Sequence, residues 1–121
     1  MINPTYEYDA IVVRWVDGDT VDVTIDLGFS ISIKERVRVY GLDCPEIHAT
    51  DIEKKSLGLQ AGKNAALLAK PGTHIKIRSH KSGDEKFGRF LAEIELADGR
   101  DFATEMIEAG HGVAYTGGKK P

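Results

Sequence analysis

The sequence has 121 residues, 41% of them hydrophobic and 29% charged, with a formal net charge of -3. This length predicts one domain over residues 1–121 with its own core, and the net charge argues against a protein that coats nucleic acid through an overall positive surface. The single cysteine, Cys44, excludes an internal disulfide and a cysteine-rich zinc site.

The first two predicted strands flank a short turn. A strand-like pattern runs from Tyr8 to Val16 and ends at Asp17-Gly18-Asp19, residues that tolerate positive backbone angles and are typical of a hairpin turn. From Val21 to Leu27, apolar residues alternate with polar ones, which predicts the second strand. We interpret Trp15, beside this turn, as a core residue.

A third strand is predicted from Ile31 to Val39, after a turn at Gly28-Phe29-Ser30. Its alternation would place Glu35 on the apolar face, so we predict a β-bulge at Lys34 to Arg36. With Val37 and Val39 on one face, Arg38 and Tyr40 take the other face.

The second half of the sequence predicts two helices and two more strands. Asp101 is a suitable N-cap for the second helix and Gly110 a suitable stop. Residues 82–86 are predicted to form a charged loop between the fourth and fifth strands, and residues 116–121 are expected to fray. The apolar positions behind these predictions are Leu57, Ala61, Ala65 and Leu68 for the first helix, Ile75 and Ile77 for the fourth strand, Phe90, Ala92, Ile94 and Leu96 for the fifth strand, and Phe102, Met106 and Ile107 for the second helix.

These elements predict an α+β, mostly β fold. Five short strands with one helix between the third and fourth, and a short C-terminal helix, favour a five-stranded, partly open Greek-key barrel of the oligonucleotide/oligosaccharide-binding (OB) type. Because one fold supports many functions, the functional argument rests on particular residues.

Localisation and assembly are weakly constrained by this sequence. No apolar run approaches the roughly 20 residues of a membrane helix. Residues 1–9 lack the basic and apolar segments of a secretory signal, so the cytoplasm is the default, with a processed secreted form left open. We expect a monomer without membrane contact.

Three acids and two arginines stand beside predicted turns, namely Asp19, Asp43, Glu46, Arg38 and Arg89. A metal-assisted phosphodiesterase needs this set of groups: carboxylates that hold a divalent cation, guanidinium groups that bind phosphate, and one further acid. The alternative is that the charges are solvated strand faces, as charges along strands usually are.

Three motifs, in order, resemble the staphylococcal nuclease (thermonuclease) family. They are Asp17-Gly-Asp-Thr20 at a strand end, Arg38-Val-Tyr-Gly-Leu-Asp-Cys-Pro-Glu46, and Phe87-Gly-Arg89, and the resemblance covers roughly Tyr8 to Tyr115. It implies a calcium-dependent nuclease that hydrolyses phosphodiester bonds of single-stranded DNA and RNA with little sequence preference and leaves 3′-phosphate products.

The resemblance implies a Ca²⁺ held by Asp19, Asp43 and the backbone carbonyl of Cys44. Calcium takes roughly six to eight oxygen ligands, and turns let carboxylates and carbonyls converge. Two protein carboxylates leave much of the shell to water and substrate phosphate, so we expect weak calcium binding without substrate. Other members often carry Thr where Cys44 stands, to which a backbone ligand is indifferent. Asp17 is interpreted as structural.

Arg38 and Arg89 resemble the family's phosphate-binding arginines. Only arginine offers a planar fork that meets two phosphate oxygens and stays charged at any working pH. Hydrolysis adds negative charge at phosphorus, so donors that tighten in the transition state lower the barrier. The alternative is pairing of each arginine with a surface acid such as Glu35 or Glu85.

Glu46, after Pro45, resembles the group that activates water. Whether it removes a proton or only orients water stays open, because a carboxylate near its reference pKa of about 4.3 is a weak base. An ordinary exposed glutamate after a proline is the alternative.

Lys86, Phe87 and Tyr115 match positions that the family uses to bind substrate. Phe87 lacks the hydroxyl of the tyrosine common at this position but keeps a ring that can stack on a base. Tyr115 has a packing role as its alternative. The rival function is a catalytically inactive OB-fold module that binds nucleic acid or peptide; such modules usually lose the acids or arginines, and this sequence retains all of them.

Overall fold

The computed structural model describes residues 2–80 and 90–115. In chain order, the secondary structure is β1 (Glu7–Asp17), β2 (Thr20–Asp26), β3 (Ser32–Val39), β4 (Gly41–Asp43), α1 (Ile52–Leu68), β5 (His74–His80), β6 (Phe90–Glu95), α2 (Phe102–Glu108) and β7 (Val113–Tyr115). The predicted charged loop at 82–86 and the predicted frayed end at 116–121 lie outside the described residues. No helix within the described ranges is long and apolar enough to cross a membrane.

Five strands form a closed barrel in the order β1-β2-β3-β6-β5. The 11-residue β1 pairs with β2 on one side and with β5 on the other, while β3 and β6 pair in parallel. This confirms the mostly β, OB-type barrel, with α1 between its third and fourth strands. The barrel is closed rather than partly open, because the β3–β6 pairing joins the two edges.

The predicted β-bulge at Lys34 to Arg36 is wrong. The β2–β3 register runs without a shift from the pair Thr20 and Arg38 to the pair Asp26 and Ser32. Glu35 does lie on the face of Val37, but towards the barrel end, where its side chain is only half-buried and can reach solvent. The irregularities lie in β1 instead, on either side of Arg14 and Trp15.

The core fills the barrel and continues under the two helices. Buried barrel residues such as Val21, Val23 and Ile94 belong to the same hydrophobic core as Phe102 and Met106 of α2. Trp15 packs against this core as predicted: its ring stacks on Phe102 with a centroid distance of 4.6 Å, and its Nε1–H donates to the carbonyl of Ala69 at 2.8 Å.

The core face of α1 consists of small residues. Its buried positions are Gly58, Ala61 and Ala65, whereas Leu57, predicted to lie on the apolar face, is 51% exposed. Small side chains let the helix backbone lie close to the segments beneath it, because they add little bulk between the two. This close approach matters for the segment that carries Glu46.

Both helices begin at an N-cap aspartate, of which only Asp101 was predicted from the sequence. Asp51 accepts hydrogen bonds from the amides of the first turn of α1, and Asp101 caps α2 in the same way. Gly110, with φ of 79°, donates to Ile107, and the next amide bonds back to Met106. This pair of bonds is a Schellman motif, which ends α2 at the predicted glycine.

Asp22 links three strands and gives a stability prediction. It accepts hydrogen bonds from Arg36 on β3 and Arg14 on β1, at 2.8 and 3.1 Å. The Arg36 hydrogen bond, with a smaller contribution from Arg14, lowers the pKa of Asp22. The ion pairs therefore stabilise the fold above the usual carboxyl pKa of about 3.9, and this stability is lost as pH falls through the lowered value.

We expect Asp22→Asn to lower the free energy of unfolding by up to about 1 kcal/mol at pH 7, since the pairs are partly exposed. The difference from the parent should shrink below about pH 4 and in high salt. Urea titrations at pH 7 and at low pH measure it, with the exposed Asp9→Asn as control. Equal losses at both pH values would contradict an ionic origin.

Candidate active site

Asp19 lies at the bottom of the site, in the turn between β1 and β2. The residue is only 3% exposed. Its carboxylate accepts hydrogen bonds from the Thr20 hydroxyl at 3.0 Å and the Cys44 amide at 2.8 Å. The backbone carbonyl of Asp19 also accepts from the Val39 amide at 2.8 Å. These bonds attach the turn to the end of β3 and to the segment after β4.

Gly18 permits this turn by its size. Its φ is not positive, contrary to the conformation expected for the turn. A Cβ at Gly18 would instead lie 2.9 Å from the Ala61 Cβ and 3.1 Å from the Cys44 Sγ. Glycine is therefore needed for the close packing of the turn against α1.

Arg38 contacts both of the predicted carboxylate ligands of the metal, Asp19 and Asp43. One terminal nitrogen lies 3.3 Å from an Asp19 oxygen, and the other lies 3.1 Å from Asp43 Oδ1 and 3.2 Å from the Leu42 carbonyl. The Tyr115 ring lies beside the guanidinium, 5.6 Å from Cζ, within cation–π range. Arg38 thus pairs with these site acids rather than with Glu35.

Burial shapes the electrostatics of this group. Desolvation raises the pKa of Asp19, opposed chiefly by the charge of Arg38 and then by the hydrogen bonds from Cys44 and Thr20. Arg38 and the two hydrogen bonds therefore only partly offset the cost of burying the negative charge of Asp19. A second positive charge at this position would be stabilising.

Asp43 and Cys44 are held by the two-stranded sheet of β4 and β7, which the sequence did not predict. Asp43 pairs with Val113 across this sheet. The Cys44 side chain is buried, and desolvation raises the pKa of its thiol. The thiol is therefore protonated and inaccessible, and a Cβ at Gly112 would lie 2.9 Å from its sulfur.

Glu46 lies on the surface beside these residues. Its side chain is exposed and has no hydrogen bond or ion pair with any other residue in 2–80 or 90–115. Asp43, Cys44 and Glu46 are among the residues that line a cleft of about 760 Å³, together with Lys54 of α1 and residues 109–113. Glu46 therefore faces an open cleft that it shares with Asp43. Asp43 also belongs to the group of Asp19, Arg38 and Asp43, which we call the Arg38 cluster.

The structure brings together Asp19, Arg38, Asp43, Cys44 and Tyr115, which come from three parts of the chain: the β1–β2 turn, residues 38–44, and β7. Three further predicted site residues, Lys86, Phe87 and Arg89, lie outside the described residues. Their predicted roles in substrate binding and catalysis stay predictions.

A family model described as "Staphylococcal nuclease homologue" matches residues 36–120, which is well over half of the chain. The chain belongs to the staphylococcal nuclease family. The matched region includes Arg38, Asp43 and Glu46, while Asp19 precedes it and is joined to it by the contacts with Arg38 and Cys44.

Two relatives of this chain are longer proteins. The chain is 27% identical over 114 residues to endonuclease YhcR of Bacillus subtilis (strain 168), covering 90% of this chain and 9% of that protein. It is 28% identical over 100 residues to the succinoglycan biosynthesis protein ExoI of Rhizobium meliloti (strain 1021), covering 81% of this chain and 48% of that protein. The chain thus spans less than half the length of either relative.

Two features of this staphylococcal nuclease-family site were not found by sequence reasoning. Asp17, interpreted only as structural, accepts a hydrogen bond from the Ile47 amide. Gly58 packs against the backbone at Glu46. The available signals were a second acid in the Asp17-Gly-Asp19 turn and two glycines four residues apart, Gly58 and Gly62, within a helical pattern.

Proposed function

We propose that this chain is a calcium-dependent nuclease that hydrolyses phosphodiester bonds of single-stranded DNA and RNA, with little sequence preference and 3′-phosphate products. One observation carries the proposal: two buried or half-buried carboxylates, Asp19 and Asp43, share a single guanidinium, that of Arg38. A cation and a phosphate could both be bound at this point.

The residues present fit calcium. Asp19 and Asp43 offer hard oxygen donors that contact the two terminal nitrogens of one guanidinium, that of Arg38, whereas the thiol of Cys44 is buried and protonated. In residues 2–80 and 90–115, no group of three His, Cys, Asp or Glu side chains could hold a metal. Most of the calcium shell would therefore come from water and substrate, which makes binding weak without substrate.

We assign binding of the scissile phosphate to Arg38. Its side chain is 15% exposed, so a phosphate at this depth meets a partly desolvated guanidinium, with which hydrogen bonds are stronger than in water. A single strand can bend to reach this depth more easily than a duplex can, which supports the proposed substrate. Arg89 is proposed as the second phosphate-binding group on its motif alone.

The reaction assigns separate tasks to the remaining groups. When bound, Ca²⁺ would supply Lewis-acid polarisation of a phosphoryl oxygen. Glu46, exposed and unpaired in the described part of the chain, would hold the attacking water. Arg38 and Arg89 would stabilise the charge that grows on phosphorus, and three acids against two arginines and one Ca²⁺ leave one positive charge for the phosphodiester.

The experiment uses fluorescent single-stranded DNA and RNA of mixed sequence, incubated with protein in calcium, in magnesium and in chelator. We expect cleavage in calcium alone and fragments with 3′-phosphate ends. Closed circular single-stranded DNA, which has no ends, tests cleavage within the strand, a mode supported by the name of the relative YhcR. Asp43→Asn should abolish the calcium-dependent cleavage, with the exposed Asp26→Asn as its matched control.

Two results would overturn this function. Undiminished cleavage in chelator would show that the reaction needs no metal. Fragments with 5′-phosphate ends would show that the P–O bond that breaks is not the one proposed. Binding of single strands without cleavage under any condition would instead indicate an inactive OB-fold module. The relative ExoI is named for succinoglycan biosynthesis and not for a nuclease activity, which is a reason to test for that outcome.

A further inference from the structure

The peptide bond between Glu46 and Ile47 has two contacts with distant segments. The Ile47 amide donates a hydrogen bond of 2.9 Å to Asp17 Oδ1, across 30 residues of sequence. The second contact is with Gly58 of α1, one of the buried residues of that helix. The contacts involve the backbone of residues 46 and 47 and leave the Glu46 side chain exposed.

Gly58 touches this peptide so closely that no other residue type fits. A Cβ at Gly58 would lie 2.4 Å from the Glu46 carbonyl oxygen, 2.5 Å from its carbonyl carbon and 2.8 Å from the Ile47 nitrogen. Real Cβ atoms do not approach backbone atoms to such distances, so either α1 or the peptide would have to move. The Glu46–Ile47 peptide is therefore packed directly against the backbone of α1 at Gly58.

The Glu46 side chain has no partner of its own that could orient it in the described part of the chain. Pro45 restricts the backbone before it, and the Glu46 carbonyl accepts from the Ala49 amide at 3.3 Å. The backbone therefore fixes the point from which the Glu46 side chain starts, and so the region that its carboxylate can reach. That backbone depends on Asp17 and Gly58.

We propose that Asp17 and Gly58 are positioning residues, which fix the Glu46–Ile47 peptide and so place the Glu46 carboxylate relative to the Arg38 cluster. The inference rests on the proposed function for its catalytic meaning. Asp17 lies two residues from Asp19 in the same turn, so one turn would set both the predicted metal ligand and the group that holds water. A misplacement of about 1 Å at a reacting group can slow a reaction by ~10²-fold.

The test compares three variants by steady-state kinetics and by hydrogen exchange at the Ile47 amide. Asp17→Ala removes the acceptor, and we expect kcat to fall by ~10-fold to ~10²-fold with little change in KM, together with faster exchange of the Ile47 amide. Asp17→Asn keeps an oxygen that can accept the same hydrogen bond, so it should restore both kcat and protection. Gly58→Ala should lower kcat with the acceptor still present.

Matched controls separate positioning from general destabilisation. Asp101→Ala removes another carboxylate that accepts a backbone amide, that of Thr104 at 3.0 Å, away from the cluster, and should leave kcat unchanged at temperatures where the protein is folded. Gly62→Ala makes the same substitution in the same helix, but its Cβ would meet only the flexible end of Ile47, at 3.2 Å. Its effect on kcat should be much smaller than that of Gly58→Ala.

The outcomes distinguish this inference from the proposed function. A parent protein without calcium-dependent cleavage would overturn the function, while exchange at Ile47 would still test the contact. If the parent is active and both Asp17→Ala and Gly58→Ala keep the parent kcat, the inference is overturned. A loss in Asp17→Asn as large as in Asp17→Ala would also overturn it, because charge and not the hydrogen bond would then be responsible. If Asp17→Ala does not fold, Gly58→Ala against Gly62→Ala decides.

Discussion

Replacing Arg38 with alanine is expected to slow phosphodiester hydrolysis by ~10²-fold or more, mainly in kcat, because removal of one preorganised donor to transition-state charge has an effect of that order. Arg38 is suited to this role because it is only 15% exposed and is held in place by Asp19 and Asp43. Single-turnover cleavage of a fluorescent single strand in saturating calcium measures the chemical step directly.

Arg38→Lys is the matched variant, since it keeps the charge and loses the planar fork. It should recover binding of single-stranded DNA without recovering most of the rate. Calcium binding, measured by calorimetry with a substrate analogue present, should persist in both variants because Asp19 and Asp43 remain. A parent-like kcat in Arg38→Ala would show that Arg38 has no role in the chemical step. Thermal unfolding must be recorded alongside, because Arg38 also neutralises the buried Asp19.

The largest effect on stability is expected for Phe102→Ala. Phe102 is fully buried, belongs to α2 and stacks on Trp15 with ring planes 15° apart. Large-to-small substitutions of buried phenylalanine lower the free energy of unfolding by about 3–5 kcal/mol, because they remove apolar contact and leave a cavity. Urea unfolding followed by circular dichroism and by the fluorescence of Trp15, the single tryptophan, measures the loss.

Phe29→Ala provides the control for this substitution, because Phe29 is 98% exposed in the turn before β3. Its effect should stay within about 0.5 kcal/mol, as is usual for surface substitutions. Similar losses in the two variants would contradict the assignment of Phe102 to the core that supports the site. A loss confined to Phe102→Ala would support it.

The sequence predicted the strands well where local pattern decides the structure. Alternation found the five barrel strands, and Asp101 and Gly110 marked the ends of the second helix, because capping depends on only a few neighbouring residues. The prediction failed at Glu35, where alternation alone could not tell a bulge from a half-buried position near a barrel end. It also failed at Leu57, because small residues rather than large ones face the core from α1.

The site was predicted as a set of residue types but not as an arrangement. Motif order placed Asp19, Arg38 and Asp43 in one family site, and the structure brings these three side chains together. The β4–β7 sheet that holds Asp43 was not predicted. Its strands have three residues each, which is too short for a periodic signal.

What the sequence determined by itself was the chemistry available: oxygen ligands without a cysteine-rich zinc site, arginine forks for phosphate, and the pattern of a barrel that carries them. What only the tertiary structure decided was which groups meet. Asp19 reaches the Cys44 amide across 25 residues and Asp17 reaches the Ile47 amide across 30. Such contacts depend on how the barrel closes and how closely α1 can pack, which are properties of distant segments together and leave no signal in the local pattern of either one.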